Sequence, residues 1–535
     1  MLNTATISTN VIKKLCTLFL ALPTLAVGQG TSWSEAWVGS EWEVYARALA
    51  DRGLVGNEPW SARPFAPSTL QSWALANRDT GPWKSRFAAP PPERASSFVV
   101  LRPSITSSYN SGFAWGMSDG PVWQGRGLNA WATAGLAWHF GILNARIEPL
   151  FEQGQNRSFA LAVTPAGGSP FVDDLRPTEI DLPQRFGNSS FHIVDPGQSF
   201  VRLDYHGATL GFSTEDIFWG PGVRQALLFD ANAAGFPHAF VGTSHAIATP
   251  IGRFFGQLIY GRLEESDWAP ANKSSSRFGA GGIAVWMPPS QPIEIGIARF
   301  YHRQWPKSFG ASDLAVPFGS FLNDREVAGT GAPENQLLSI FATIRVPSSG
   351  LEVFGEFGKN DRNADLRDAL SEPEHNAAWL LGLFKVIGPQ TLANGFWTVR
   401  AEVASGRVSE LQDLGRGQST FYDHTTVTQG HTQDGQLLGT PLIDRSGGID
   451  AALDRWTRNG RLGVSLFERQ MPGDLKVGLP AAQARTQWDF GVSGTWFFGP
   501  TDLTFAVGHV WDLDRLPGQD IGNTYVRVGL RAGLP

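Results

Sequence analysis

The sequence predicts an all-β protein with a small α-helical head: a transmembrane antiparallel β-barrel of about 18 strands, with short periplasmic turns and long extracellular loops. Three observations predict it. Side chains alternate with a period of two from Phe98 to the C-terminus, tight turns alternate with long polar connections, and the composition is poor in charge without being strongly apolar. Of 535 residues, 17% are charged, against roughly 25% in ordinary soluble domains, while 42% are hydrophobic and the mean hydropathy is -0.14. Helical membrane proteins are excluded, because their spans raise both of the last two values. A net charge of -6 with no dense Lys/Arg tract argues against a nucleic-acid partner.

The N-terminus sets the compartment. Lys13 and Lys14 precede the apolar run Leu15 to Val27, too short to span a bilayer, which takes about 20 helical residues. Residues 1–28 therefore read as a signal peptide, with Ala26 and Gly28 as the small residues before the cut. Cys16, the single cysteine, lies inside it, so the exported chain is expected to use neither disulfides nor thiolate ligands. No later segment offers about 18 consecutive apolar residues, so the expected residence is the cell outer membrane of a Gram-negative-type envelope, crossed by strands.

Residues 29–95 are expected to form a periplasmic helical head and a Pro-rich linker, and residues 96–535 the barrel. Trp42, Tyr45 and Leu49 recur at helical spacing from Glu41 to Arg52, and Gly53 is the stop. A second helix fits Ser68 to Asn77, with Leu70, Trp73, Ala74 and Leu75 on its apolar side. About 50 residues are too few for an independent core, so the head is expected to dock on the barrel and close its periplasmic mouth.

Within the barrel region, Trp488, Phe490, Val492, Trp496 and Phe498 alternate with Asp489, Gly491, Ser493, Thr495 and Phe497. Val201, Leu203 and Tyr205, Leu338 to Val346 and Val526 to Ala532 repeat the pattern, as expected of strands with one lipid face and one wet face. Short links, such as His206-Gly207, Pro347 to Gly350 and Gly499 to Thr501, alternate with long stretches at 110–127, 152–198, 216–239, 264–277, 302–335, 360–377, 407–446, 471–485 and 512–523. The phase holds only if Gly448 to Thr457 is a strand followed by an Asn459-Gly460 turn, which brings the expected count to eighteen.

Particular residues carry a family resemblance. The stretch Leu210 to Thr243 contains Trp219-Gly220-Pro221-Gly222, an aliphatic run, and Gly235-Phe236-Pro237. Ala50-Asp51-Arg52-Gly53 and Tyr422 to Gly439 (YDHTTVTQGHTQDGQLLG) supply two further matches. Together they resemble the Wzi-type capsule assembly proteins, with departures at Phe218, where a second Trp is usual, and at His431, where Tyr is usual. The resemblance implies an eighteen-stranded outer-membrane barrel with a periplasmic helical head, acting as a surface lectin for capsular polysaccharide or exopolysaccharide.

Sugar recognition combines aromatic faces with planar polar groups, and the loops supply both. The candidate polysaccharide-binding residues are Trp219, Arg224 and Asp230 around the family box and Tyr422, His424, His431 and Asp434 in the longest loop. The competing reading makes the box a sharp turn anchored by Trp219. Asp173, Asp174, Glu179 and Asp181 are oxygen-rich enough for calcium, but their spacing matches no loop motif and a solvated acidic loop is preferred. Trp488, Trp496 and Trp511 read as membrane-interface residues. His139, His206 and His509 lie in strands without a Gly-x-Ser-x-Gly elbow, so no enzyme is expected, and neither a metal nor another cofactor is assigned. The expectation is thus a monomeric lectin-like barrel whose partners are extracellular polysaccharide and outer-membrane lipid. The alternative is a porin-like channel for sugars or anions, lined by Arg202, Arg345, Arg400, Arg527 and Arg531, which would equally suit a charge ladder that closes the lumen.

Overall fold

A computed structural model describes residues 36–76, 81–84, 86, 96–164, 169–174, 176–269, 276–289, 292–318, 334–360, 376–389, 391–407, 421–424, 426–471 and 484–533. The expected signal peptide lies outside the described residues. Helix α1 (Glu41–Ala50) starts at Ser40, whose hydroxyl accepts the Glu43 amide at 3.3 Å, and Gly53 follows at φ +70°. Helix α2 is Pro67–Ala76.

The period-two region becomes strands β1 (Ser96–Asn110), β2 (Gly127–Phe140), β3 (Leu143–Ile147 and Leu150–Gly154), β4 (Phe191–Asp195 and Phe200–Tyr205), β5 (Ala208–Ser213) and β6 (His238–Thr243, continued by Ile247–Thr249). Next come β7 (Gly252–Glu264), β8 (Ser276–Met287), β9 (Ile293–Gln304), β10 (Glu334–Val346), β11 (Leu351–Asn360) and β12 (Ala377–Ile387). The last six are β13 (Phe396–Ser405), β14 (Gly447–Thr457), β15 (Gly460–Met471), β16 (Arg485–Phe498), β17 (Thr501–Leu516) and β18 (Gln519–Arg531). Sequence neighbours pair antiparallel, and β18 returns to β1 with Ser104 opposite Arg531 and Asn110 opposite Tyr525. Eighteen strands therefore close into one barrel. The doubtful strand is present as β14, and both barrel ends lie on the short-turn side. Breaks in β3 at Pro149 and in β4 at Pro196 follow from proline's missing ladder N–H.

Outward positions are apolar. Val526, Val528 and Leu530 are 44–48% exposed, and Val201, Leu203, Ile340, Ile344, Val492 and Trp496 also face out. The opposite set, including Arg202, Ser339, Thr343, Arg345 and Arg400, is buried toward the lumen. At one end the links are tight: His206 and Gly207 join β4 to β5 with φ +49° and +86°, both in the left-handed region of a type I′ turn.

Two connections differ from expectation. Residues 512–523 are not a long loop, because β17 runs to Leu516 and β18 begins at Gln519, leaving only Pro517-Gly518 as the turn. The run reads as loop because it is polar, yet Asp512 is paired with Arg485 and Arg515, so the hairpin extends as strand beyond the apolar belt. The second is 302–335, whose described part, 305–318 with helix α3 (Ala311–Ala315), folds down over the outer wall of β7, β8 and β9.

The lumen is filled by protein. One hydrophobic core joins the head (Trp42, Tyr45, Trp60, Trp73, Trp83), the loops 216–239 and 421–443 (Trp219, Phe229, Tyr422, Leu442) and the inner wall (Phe300, Phe396, Trp456). Trp83 stacks on Tyr45 at 4.7 Å between ring centres, and its indole N–H donates to Thr457 O at 2.9 Å. Arg52 donates to Gly388 O at 2.8 Å, and Arg253 pairs with Glu58 at 2.7 Å. These wall residues border short turns, so the head occupies the short-turn end of the barrel.

Val492 in β16 faces outward near mid-strand. Val492→Arg is expected to destabilise the barrel by about 2–4 kcal/mol, the cost of a cation at the midplane of the apolar belt. Urea titration of the protein folded into lipid vesicles measures it.

Candidate functional site

The site grows from charges on the inner wall. An inward carboxylate or guanidinium in a low-dielectric lumen must find partners, and here many of those partners are backbone groups of inserted segments. Arg47 of α1 forms a two-bond pair with Glu352 of β11 at 2.9 Å and also donates to Pro221 O at 2.6 Å and Gly222 O at 2.7 Å. Arg63 adds a bond to Gly222 O at 2.8 Å. Glu402 of β13 accepts the amides of Val223 at 2.7 Å and Arg224 at 3.2 Å, and Glu356 of β11 accepts that of Leu227 at 3.2 Å. Arg277 of β8 donates to Gly430 O at 2.6 Å and Thr432 O at 2.5 Å.

This network fixes the family box. Phe218-Trp219 pairs in antiparallel fashion with Ala62-Arg63 of the head, and Trp219 is fully buried, its ring edge-on to Phe229 at 5.3 Å. Gly222 is required sterically, because a Cβ there would lie 1.8 Å from Gln225 O. Phe236 packs near Phe229 and Phe300, Pro237 O accepts the Arg262 amide at 3.0 Å, and Gly235 N donates to Asp216 at 2.7 Å.

Four of the seven candidate sugar-binding residues converge in this buried cluster. Tyr422 donates to Leu227 O at 2.8 Å and stacks on His431 at 5.6 Å, and the His431 Nε2 bonds Leu228 O at 2.6 Å. Asp230 accepts the Asn232 amide at 2.7 Å, and burial pushes its carboxyl well above the usual range. Trp219, Asp230, Tyr422 and His431 thus have almost no surface for a ligand and serve as scaffold, because the loops carrying them fold inward. The other three retain surface. The Arg224 side chain is 46% exposed and donates to Met117 O at 3.2 Å, His424 is half-buried, and Asp434 is exposed beside Gln433.

The acidic residues act as loop staples. Asp173 pairs with Arg176, which also binds Asp444 at 2.7 Å, while Asp181 accepts the Ser266 amide at 2.7 Å. Among the described residues no three His, Cys, Asp or Glu side chains converge as a metal site. His139 and His509 bond Asn144 and Thr524, both at 2.8 Å, and His206 lies in a turn against Tyr205.

The lumen arginines form a closed ladder. Arg345 pairs with Glu294 at 3.0 Å, Glu352 at 2.8 Å and Asp51 at 3.3 Å, Arg400 with Glu402 and Asp450, Arg202 with Asp204 and Arg527 with Asp119, while Arg531 lies over the Trp37 ring. A cavity of about 440 Å³ with a mixed polar and apolar lining survives between the plug and the β15–β18 and β1–β4 side of the wall, bordered by Trp115, Trp131, Asp119, Arg224, Tyr525 and Arg527.

At the long-loop end the structure gathers rings that the sequence reading did not single out. Trp123 and Phe186 stack at 4.3 Å with Phe191 edge-on at 5.5 Å, and Phe171 meets Trp268 at 5.3 Å. All five are partly exposed. Asn156 holds this surface by donating to Phe186 O at 2.6 Å and Ser189 O at 2.9 Å. Gly187, at φ +68°, is needed because a Cβ would lie 2.4 Å from the Trp268 ring. Four rings from three separate loops and Phe191 at the start of β4 share no spacing in the sequence; their aromatic character inside polar surroundings was the only available signal.

A closed barrel with an apolar outer belt, long loops at one end and a plug bonded to its inner wall defines a plugged outer-membrane β-barrel. Residues 150–500 match the family described as capsule assembly protein Wzi, and the chain belongs to that family. Among solved structures it is similar to Wzi of Escherichia coli, described as an outer-membrane, carbohydrate-binding β-barrel involved in group 1 capsule assembly. The identity is 11% and the TM-score 0.59, over 92% of this chain and 98% of that one. It is also similar to OccAB4 of Acinetobacter baumannii (8% identity, TM-score 0.38, 81% and 97% covered) and to OccK2 of Pseudomonas aeruginosa in complex with glucuronate (8%, 0.37, 81% and 98%). No curated protein sequence matches the chain.

Two tests address the plug. Arg47→Ala removes four bonds and leaves buried acceptors unpaired, a loss of about 3–5 kcal/mol in plug docking. Planar-bilayer recordings are expected to show the wild type closed and the variant conducting. His431 is the second test: burial depresses its pKa from 6.5 to about 3. The undocked loop binds a proton that the docked loop cannot, so this contribution is complete above about pH 6.5 and is lost as the pH falls toward 3. Hydrogen exchange of residues 421–440, corrected for intrinsic rates, is expected to show less loss of protection between pH 7 and 4 in His431→Gln than in the wild type.

Proposed function

We propose that this capsule-assembly-family barrel is a monomeric outer-membrane lectin that grips capsular polysaccharide or exopolysaccharide on its long loops, its outer belt in outer-membrane lipid. The observation that carries the reading is the partly exposed ring surface of Trp123, Phe186, Phe191, Phe171 and Trp268 above a lumen closed by its own loops. Aromatic faces suit the C–H faces of sugars, and the exposed amide of Asn188, two residues from Phe186, suits hydroxyls. His424 and Asp434 are the ligand-facing members of the set expected from sequence, Arg224 borders the cavity beside the plug, and Trp219, Asp230, Tyr422 and His431 keep the loops in place. The protein acts as a binding protein, with binding confined to its outer surface, and no step of it is catalytic.

The porin reading has one observation in its favour, the cavity beside the plug, which charged groups such as Asp119, Arg224 and Arg527 border. Binding of detergent-folded protein to surface polysaccharide from its own cells separates the two. Saturable binding is expected, with Trp123→Ala and Trp268→Ala each weakening it about tenfold, the scale of one lost aromatic contact, while the barrel stays folded. Absence of binding by the wild type, together with steady conductance, would establish the channel.

A further inference from the structure

Segment 305–318 buries its one acid against the barrel and leaves large apolar side chains exposed beside Lys307, Ser308 and Ser312. Asp313 is buried, pairs with the outward-pointing Arg303 of β9, and accepts the Gly310 amide at 2.6 Å. Tyr260, an outward residue of β7, donates to Leu314 O at 2.8 Å. Trp305 and Phe309 set their rings edge-on to Phe278 of β8 at 6.1 and 5.2 Å, leaving this outward residue 3% exposed. The far side of the segment carries Phe309, Leu314 and Phe318, which are 53%, 57% and 71% exposed.

An extracellular loop surrounded by water would turn those side chains inward, since each exposed ring or isobutyl group forgoes its burial free energy. The wall around this segment carries Phe278 and Tyr260 together with Arg262 and Arg303, each of which is paired with an acid. Along the same strands toward the short turns, Trp286, Ile295 and Ile297 face outward and belong to the outer belt, so the exposed face of the segment continues that belt at the height where headgroups begin. Lys307 is exposed there, and Arg262 lies half-exposed 5.8 Å over the Trp305 ring while pairing with Glu264. Sugar is a poorer fit than lipid. Residues 305–318 present no outward carboxylate or amide to bind hydroxyls, and their exposed surface includes a leucine and two phenylalanines.

We infer that residues 305–318 form a lipid-binding flap that sits in the outer leaflet and holds an acylated, phosphate-bearing glycolipid, its chains against Phe309, Leu314 and Phe318 and its phosphate at Lys307 and Arg262. The inference rests on the placement of the outer belt in lipid and is independent of polysaccharide binding. The ligand site is outside the lumen, on the opposite side of the wall from the plug.

The test uses the full chain with Cys16→Ser, reconstituted in vesicles containing outer-leaflet phosphoglycolipid. Nitroxide labels are placed at Leu314→Cys, at Ile340→Cys on the belt and at Asn188→Cys on the long loops. The Leu314 label is expected to match Ile340, with high access to oxygen and low access to a water-soluble nickel chelate. A water-like Leu314 label beside a lipid-like Ile340 label overturns the flap, and a water-like Ile340 label overturns the membrane placement beneath it. In a second arm, Phe309→Ser with Leu314→Ser is expected to lower the phosphoglycolipid retained per protein, read by mass spectrometry, about tenfold, and Lys307→Gln to lower it further, with polysaccharide binding unchanged. Retained glycolipid with lost polysaccharide binding would make the flap a sugar surface and overturn the inference.

Discussion

The structure depends on one constraint: charged side chains buried inside the barrel are shielded from bulk water and must be satisfied by protein. Arg47, Glu352, Glu356, Glu402 and Arg277 meet it by bonding the head and the inward-folded loops, largely through backbone amides and carbonyls. Backbone partners make the arrangement independent of the inserted side chains and strict about chain path, which accounts for Gly222, where a Cβ has no room. Buried ion pairs are weak contributors to net stability, but an orphaned member costs several kcal/mol. The network therefore selects one position of the plug over others that bury equal apolar area.

That selection links the two ends of the barrel. The family box is held from the short-turn side by Arg47 and Arg63 and from the long-loop side by Tyr422 and His431, which bond the carbonyls of Leu227 and Leu228. A head that inserts at one mouth thus fixes loops at the other. The partly exposed rings of Trp123, Phe186 and Trp268 stand in the outermost layer of this stack, on loops stapled by Asn156 and by the Asp181–Ser266 bonds. For the polymer binding proposed above, rigid positioning would lower the ordering entropy lost on binding. The same wall presents its other face outward, where segment 305–318 adds an apolar surface next to the belt.

The sequence by itself determined the wall. Period-two alternation assigns the outward Val, Leu, Ile and Trp of the regular strands, because a one-residue slip would put charges such as Arg345 and Glu352 on the apolar side; irregular strands such as Ala239 to Ala248 are not assigned by it. Turn chemistry and loop phase set the strand count, and helical spacing with Gly53 found α1. Even the error at 512–523 has a local cause: polar strand beyond the belt reads like loop until Asp512 is seen to pair with Arg485 and Arg515. Tertiary structure alone decided what the loops do. Whether Trp219 faces sugar or core turns on partners more than a hundred residues away, Glu356 and Glu402 for its loop and Arg47 for its turn, and no spacing rule encodes them. The same holds for the ring surface, assembled from three loops and the start of β4, and for the outward fold of 305–318, since a loop's direction is set by long-range contacts rather than by its own periodicity.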